Sequence, residues 1–395
     1  MVRPVIFWIH LVCGVVAGVV VLVMSATGVA LTYERQLEAW ADRRALAAAP
    51  DATGSASLSL DTLVARARTR VRGASASGLT VRADPTAPVA VTFGRDVMLY
   101  VDRPTGAVLG EGAPRVRRAL AAVTSWHRWL GREGDGRRVA RAVTGASNLA
   151  FLGLVLTGIY LWIPRRWTWR HVRALAWFRG GLSPKARDFN WHHVIGLWAW
   201  VPLVVIVASG VVMSYGWANR LVYRAFGERP PAQSAGPGGA GPAPTAAQPA
   251  SGGVGLDALV ALGTARVPAW RTMQIQLPRP AARQVTVSVD AGTGGQPQRR
   301  SQLVVDRASG RVVRWEPFAT QSPGRRARSF LRFAHTGEVL GIVGQTIAGL
   351  ASLGATVLVW TGLALAFRRL ARWRARRAGA STDTSELRDA DPAAA

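Results

Sequence analysis

The sequence predicts a membrane α-helical protein with four transmembrane helices and two small α+β domains outside the membrane. Three observations carry this: four long apolar runs, a histidine at or just before the start of each, and two intervening segments that share one strand-turn-strand pattern. With 49% hydrophobic residues and 16 tryptophans in 395 residues, the composition suits a chain with aromatic belts at two membrane interfaces.

The first element, residues 1–33, is a helix whose apolar run exceeds the roughly 7–15 residues of a cleavable signal, so it reads as a retained anchor. Residues 34–141 form the first outer domain. There, Ser59-Leu60-Asp61 opens an amphipathic helix through Leu63, Val64 and Ala67, and strands are expected at Val89–Phe93 and Val97–Val101, before an Asp102–Gly106 turn. The second span covers 142–164, and a basic loop at 165–191 carries Arg165, Arg166, Arg170, Arg173, Arg179, Lys185 and Arg187 against Asp188. The third span is 192–217. A second outer domain at 218–341 contains a Pro/Gly/Ala-rich linker, 229–255, then a helix from Leu256, strands at Gln284–Val289 and Leu303–Val305, and an Asp306–Gly310 turn. The fourth span, 342–367, precedes a basic tail at 368–395, without regular structure expected from Ala378 onward. Each span holds roughly 20 apolar residues, enough for a hydrocarbon core of about 30 Å.

Short basic segments face the cytoplasm. The 165–191 loop and the arginines from Arg368 to Arg377 therefore place both termini inside and both α+β domains outside a bacterial inner membrane. Much of the net charge of +27 sits in these juxtamembrane clusters, whose natural partner is the anionic lipid bilayer, and nucleic acid is a poor match. Cys13 is the only cysteine, which excludes disulfides and cysteine-based clusters.

Ionisable groups in or beside a bilayer are expensive and functional. His10 is followed by Gly14 and Thr27-Gly28, and His192 by Gly196 and Ser209-Gly210, at the same intervals. Eighteen residues make five helical turns, so each histidine shares a face with its glycines, and such a face admits a flat macrocycle. Thr157-Gly158 and Thr361-Gly362 close the second and fourth spans, giving an approximate duplication. By topology His10 and His192 lie on the cytoplasmic side, and His127 and His335 on the outer side. Each pair can supply two axial imidazoles to one haem b, and a six-coordinate iron of this kind favours electron transfer. The competing readings are a polar interhelical contact for His10 and His192, an interfacial anchor for His127 beside Trp126 and Trp129, and a neighbouring, non-ligating role for His193. His171 belongs to an interfacial amphipathic segment. Arg325, Arg326, Arg328 and Arg332, just before His335, can either attract an anionic chelate or form a solvated basic face.

The motifs Trp8-Ile9-His10 with Gly14, Trp126-His127-Arg128-Trp129, Asn190-Trp191-His192-His193 and His335-Thr336-Gly337, with the Thr-Gly pairs and the two Asp-to-Gly turns, resemble the PepSY-associated transmembrane helix family, along nearly the whole chain. That family includes iron-regulated membrane proteins and siderophore ferric reductases. The resemblance implies PepSY-like outer domains and haem-dependent ferric-siderophore reductase activity. His10, His127, His192 and His335 match the family histidines, while His193 stands where a basic residue is expected.

No dinucleotide fingerprint, phosphate loop or hydrolase motif is present. The cytoplasmic segments are too short for a flavin domain, so electrons would come from quinol or a separate cytoplasmic reductase. The expected function is electron transfer across the membrane to a ferric siderophore or other iron chelate. The alternative is a PepSY-domain membrane protein that binds or regulates a peptidase or sensor partner without redox activity.

Overall fold

The computed structural model describes residues 2–46, 57–71, 73–94, 97–164, 167–231, 253–277 and 282–389. Most of the expected 229–255 linker, and Arg165 and Arg166, lie outside the described residues. In chain order the elements are α1 (Val2–Leu31), α2 (Glu34–Leu46), α3 (Leu60–Arg70), β1 (Ala76–Arg82), β2 (Val89–Phe93), β3 (Val97–Val101), β4 (Val108–Gly110), α4 (Pro114–Trp129), α5 (Gly136–Trp162), α6 (Trp169–Ala176) and α7 (Pro184–Ser214). They continue with α8 (Gly216–Arg224), α9 (Leu256–Arg266), β5 (Thr272–Gln276), β6 (Gln284–Asp290), β7 (Arg300–Asp306), β8 (Val312–Pro317), α10 (Pro323–Ala334) and α11 (Gly341–Asp389). Two compact units result, one of residues 1–32, 122–214 and 346–395, the other of residues 33–121 and 215–345.

The first unit is a helical bundle. Four of its helices, α1, α5, α7 and α11, are long and apolar enough to cross a membrane. α1 packs on α5 and α5 on α7. The α7–α11 seam is closed by Ile195 against Gly354, and the α11–α1 seam by Leu363 against Gly18. Small residues at the seams let backbones approach where lipid supplies no hydrophobic drive. Arg3 donates to the carbonyls of Leu161 (2.6 Å) and Ile163 (3.0 Å), so the start of α1 and the end of α5 lie at one end of the bundle. At the start of α7, buried Asp188 accepts from Arg187 (2.9 Å) and Arg368 (2.7 Å). Asn190 accepts from the Arg179 backbone N–H and donates to the carbonyls of Ala174 and Trp177, which fastens the short α6 segment to α7.

Some boundaries differ from the sequence expectation. α5 begins at Gly136 rather than 142, and α7 at Pro184 rather than 192, because proline suits a first helical turn and the charges of 184–191 hid the start from an apolar-run criterion. α7 ends at Ser214, with α8 beginning at Gly216. The tail expected to be irregular from Ala378 continues as α11 to Asp389, and no proline interrupts it before Pro392.

The second unit corrects the expectation of two separate outer domains. Its strands form one antiparallel eight-stranded sheet in the order β4-β3-β2-β1-β5-β6-β7-β8, two four-stranded meanders joined edge to edge through β1 and β5. The joint removes one free strand edge from each meander. α3 and α9 cover one face of the sheet, over a core that includes Leu63, Leu79, Val91, Leu259, Ile275 and Leu303. The helices cap each other reciprocally: Leu60 N–H donates to Asp257 Oδ2 and Leu256 N–H to Asp61 Oδ2, both at 2.9 Å. Both expected turns are present. Gly106 and Gly310 have φ of +68° and +69°, and each donates its N–H to the carbonyl of the Asp four residues earlier at 2.9 Å. Only glycine takes that conformation without strain.

Candidate functional site

The chemistry-bearing residues of the bundle form three repeats of one contact. His10 Nδ1 meets Thr157 Oγ1 at 2.9 Å, His127 Nδ1 meets Thr27 Oγ1 at 3.0 Å, and His192 Nδ1 meets Thr361 Oγ1 at 3.0 Å. Each threonine also donates to a backbone carbonyl four residues back in its own helix, at 2.6 Å to Gly153, 2.6 Å to Val23 and 2.8 Å to Val357. A hydroxyl has one proton. With that proton given to the carbonyl, the threonine oxygen accepts from the imidazole Nδ1–H, and the tautomer follows: Nε2 keeps its lone pair.

The glycine after each threonine makes room for the ring. A Cβ at Gly158 would lie 3.5 Å from His10 Cε1, at Gly28 3.6 Å from His127 Cε1, and at Gly362 3.3 Å from His192 Cε1. A longer side chain at any of them would push the imidazole off its threonine. The Thr-Gly pair is therefore a two-residue clasp, with the hydroxyl orienting the ring and the missing side chain admitting it. At the fourth such pair, Ser209-Gly210, the amide of buried Asn148 lies 2.9 Å from where a Gly210 Cβ would stand, and Asn148 donates to Val207 O.

His10 and His192 come together, their ring centres 6.5 Å apart and their planes 84° to one another. Both lie toward the bundle end that holds the Arg3 and Asp188 contacts. His127, on α4, meets α1 near the opposite end, at Thr27. From residue 10 to residue 27, α1 rises about 25 Å at 1.5 Å per residue. Burial holds the His127 imidazole below its ordinary pKa, which favours the neutral ring. His335 caps the end of α10 in the second unit. His193 donates from Nδ1 to Phe189 O at 2.8 Å and stacks on the Phe189 ring, its centre 6.3 Å from that of His192. It thus lacks a threonine clasp and is held by its own helix. His171 pairs with Thr168 at the start of α6.

Among the described residues no group of three or more His, Cys, Asp or Glu side chains converges as a metal site would. Two imidazoles brought this close suit a cofactor that brings its own remaining ligands. In the sequence Thr157-Gly158 and Thr361-Gly362 read as span ends and Thr27-Gly28 as part of the face shared with His10, and the part of the threonines in holding histidines on other helices was missed. Their recurrence at the ends of two spans was the available signal.

Four helices long and apolar enough to cross a membrane, with histidines clasped by Thr-Gly pairs, define a polytopic membrane protein. Its family is known: the chain belongs to the PepSY-associated TM region family, whose model matches residues 7–380. No curated protein matches it.

Proposed function

We propose that the protein is an inner-membrane haem b protein that passes electrons outward to an extracytoplasmic ferric complex, with both termini in the cytoplasm and the eight-stranded sheet, two PepSY-like halves, outside. The observation that carries this reading is the His10–His192 pair. Two imidazoles would be able to hold one haem iron between them through Nε2 if their ring centres stood about 6–7 Å apart. The pair stands at 6.5 Å, with Nδ1 of each ring already committed to threonine. Haem bound there would supply one-electron exchange at an iron with no open position.

The residues' own contributions follow from the geometry. Thr157 and Thr361 fix ring orientation and tautomer and, by accepting the Nδ1 proton, raise the basicity of Nε2. Gly158 and Gly362 let the rings sit against the helix backbones. The surrounding apolar helices exclude water, so that neutral imidazole avoids the cost of a buried charge. For a second haem, the internal repeat of the sequence nominates His127 and His335. The acceptor, a ferric siderophore or other chelate, takes one electron per iron.

Full-length protein purified in mild detergent after expression with ample haem should give b-type bands in a dithionite-reduced minus oxidised spectrum, and a ferric chelate should reoxidise it. His10→Ala and His192→Ala should each lower the haem-to-protein ratio. A haem-replete preparation without b-type bands, or one with an unchanged ratio in both variants, contradicts the proposal.

A further inference from the structure

The sheet face turned away from α3 and α9 is polar: Thr80, Gln274, Ser288, Gln302 and Glu316 are successive cross-strand partners from β1 through β5, β6 and β7 to β8. Part of this face is hollow. A cavity of about 210 Å³ lies between it and α10. Ser288 and Gln302 line it from the sheet, and Arg300 borders it at the start of β7. Arg325, Ser329 and Phe333, at i, i+4 and i+8, line it from one face of α10.

The four arginines of α10 that the sequence left undivided are sorted by the structure. Arg328 donates to Asn219 and Arg326 to Ala319 O, Arg332 lies over the Phe333 ring, and Arg325 lines the cavity. Arg325 gives Nη1 to Glu316 at 2.5 Å, and Arg300 approaches Asp290 at 3.5 Å through Nε. A guanidinium has five N–H donors, so each of these arginines keeps donors beyond its carboxylate contact. Neither Asp290 nor Glu316 lines the cavity. Around Phe333, Arg35, Arg300 and Arg332 stand 6.0, 5.8 and 5.6 Å from the ring centre, Arg35 with its charge met by Glu338 at 2.7 Å.

Two guanidiniums with neutral amide and hydroxyl groups between them match paired carboxylates, which arginine binds in a forked, charge-assisted geometry. The volume is below the roughly 300–1,000 Å³ of drug-sized sites, so the occupant is small. We infer that this cavity binds a polycarboxylate of citrate size, either free or as the carboxylate arm of a ferric complex. Resting on the electron-transfer reading, the inference makes the acceptor an anionic carboxylate chelate.

The test is calorimetric titration of the full-length protein in mild detergent with citrate, ferric citrate, inorganic phosphate and the cationic hydroxamate complex ferrioxamine B. Citrate and ferric citrate should bind saturably, compete with each other and weaken with added salt, while phosphate and ferrioxamine B bind more weakly. Arg300→Gln and Ser329→Leu should each weaken citrate by about ten- to a hundredfold, the value of a lost charge-assisted contact. Arg314→Gln, exposed on β8 and outside the cavity lining, should leave it unchanged. No saturable citrate binding up to about 10 mM, phosphate binding as tightly as citrate, or equal affinities in all three variants overturns the inference. If free citrate binds and ferric citrate does not, the carboxylate site stands and its role as a chelate site falls. The haem spectrum, recorded on the same samples, reads the electron-transfer proposal separately, because the titration needs no haem.

Discussion

The helical bundle and the eight-stranded sheet spend the same aliphatic residues in opposite directions. In the sheet unit valines turn inward, and Val81 is fully buried, whereas in the bundle Val16 of α1 is 79% exposed. The polar groups differ in kind: the carboxylates that the sheet unit buries, Asp42, Asp290, Asp306 and Glu338, are each met by an arginine. The bundle buries Ser147, Asn148, Ser209 and Thr361, while the sheet unit turns Thr80, Gln274, Ser288 and Gln302 away from its apolar core. In water, apolar burial holds a fold together and polar groups can face out. In lipid, apolar burial between helices yields little, so close packing of small residues and interhelical hydrogen bonds take over, and these place histidines and threonines where a ligand can use them. The sheet unit's interior is a structural core, with its proposed binding cavity on a surface; the bundle's interior is itself the candidate site.

The contrast can be broken most sharply by truncation. Leu79→Ala or Leu303→Ala, in the sheet core, should cost about 2–5 kcal/mol. Val16→Ala should change stability by less than about 0.5 kcal/mol. Thermal unfolding in detergent compares them, and a similar loss for Val16→Ala would mean that α1 is held by ordinary apolar burial.

The next effect concerns the clasps. Thr361→Val removes the acceptor of the His192 Nδ1–H at nearly constant shape and should weaken haem retention about 10–100-fold, with Thr361→Ser restoring it. Gly362→Val, which crowds the ring at Cε1, should act alike while leaving citrate binding in place. Retention indifferent to both would reduce the clasp to helix packing.

A smaller effect belongs to the sheet unit. Asp61→Ala and Asp257→Ala each remove a cap from the partner helix and should cost about 0.5–2 kcal/mol. If either variant loosened both meanders together in a proteolysis time course, the halves would be one cooperative piece; cleavage confined to one half would make them separable.

The smallest is a pH effect. His127 is held below its ordinary pKa, so the unfolded chain takes up a proton near pH 6.5 and the folded protein does not. Its stabilising contribution is complete above that value and is lost as the pH falls below it toward the lowered folded pKa. Melting curves of the wild type and His127→Gln between pH 7.5 and 5 should therefore converge on acidification. Parallel curves would contradict a neutral His127.

The spans were legible because a protein in water can rarely bury a continuous apolar run of membrane length, and the two Asp-to-Gly turns because glycine is needed at Gly106 and Gly310. The union of the two outer segments was not. It depends on β1 and β5, whose alternations at Leu79 and Val81 and at Met273 and Ile275 are short, and edge pairing between distant segments leaves no local trace. The histidines stood out as costly residues in apolar runs. Their threonine partners did not, because Thr157 is 147 residues from His10 and Thr361 is 169 from His192. The cavity was half visible, in the arginines of α10. Only the fold brings Ser288, Arg300 and Gln302 to the same place.

The most direct test of the central claim is electron paramagnetic resonance of the oxidised, haem-loaded protein. If His10 and His192 hold a haem iron with their ring planes crossed as they stand here, at 84°, the wild type should give a strongly anisotropic low-spin ferric component that each of His10→Ala and His192→Ala abolishes. A wild type without that component, or the same component surviving both replacements, would contradict it.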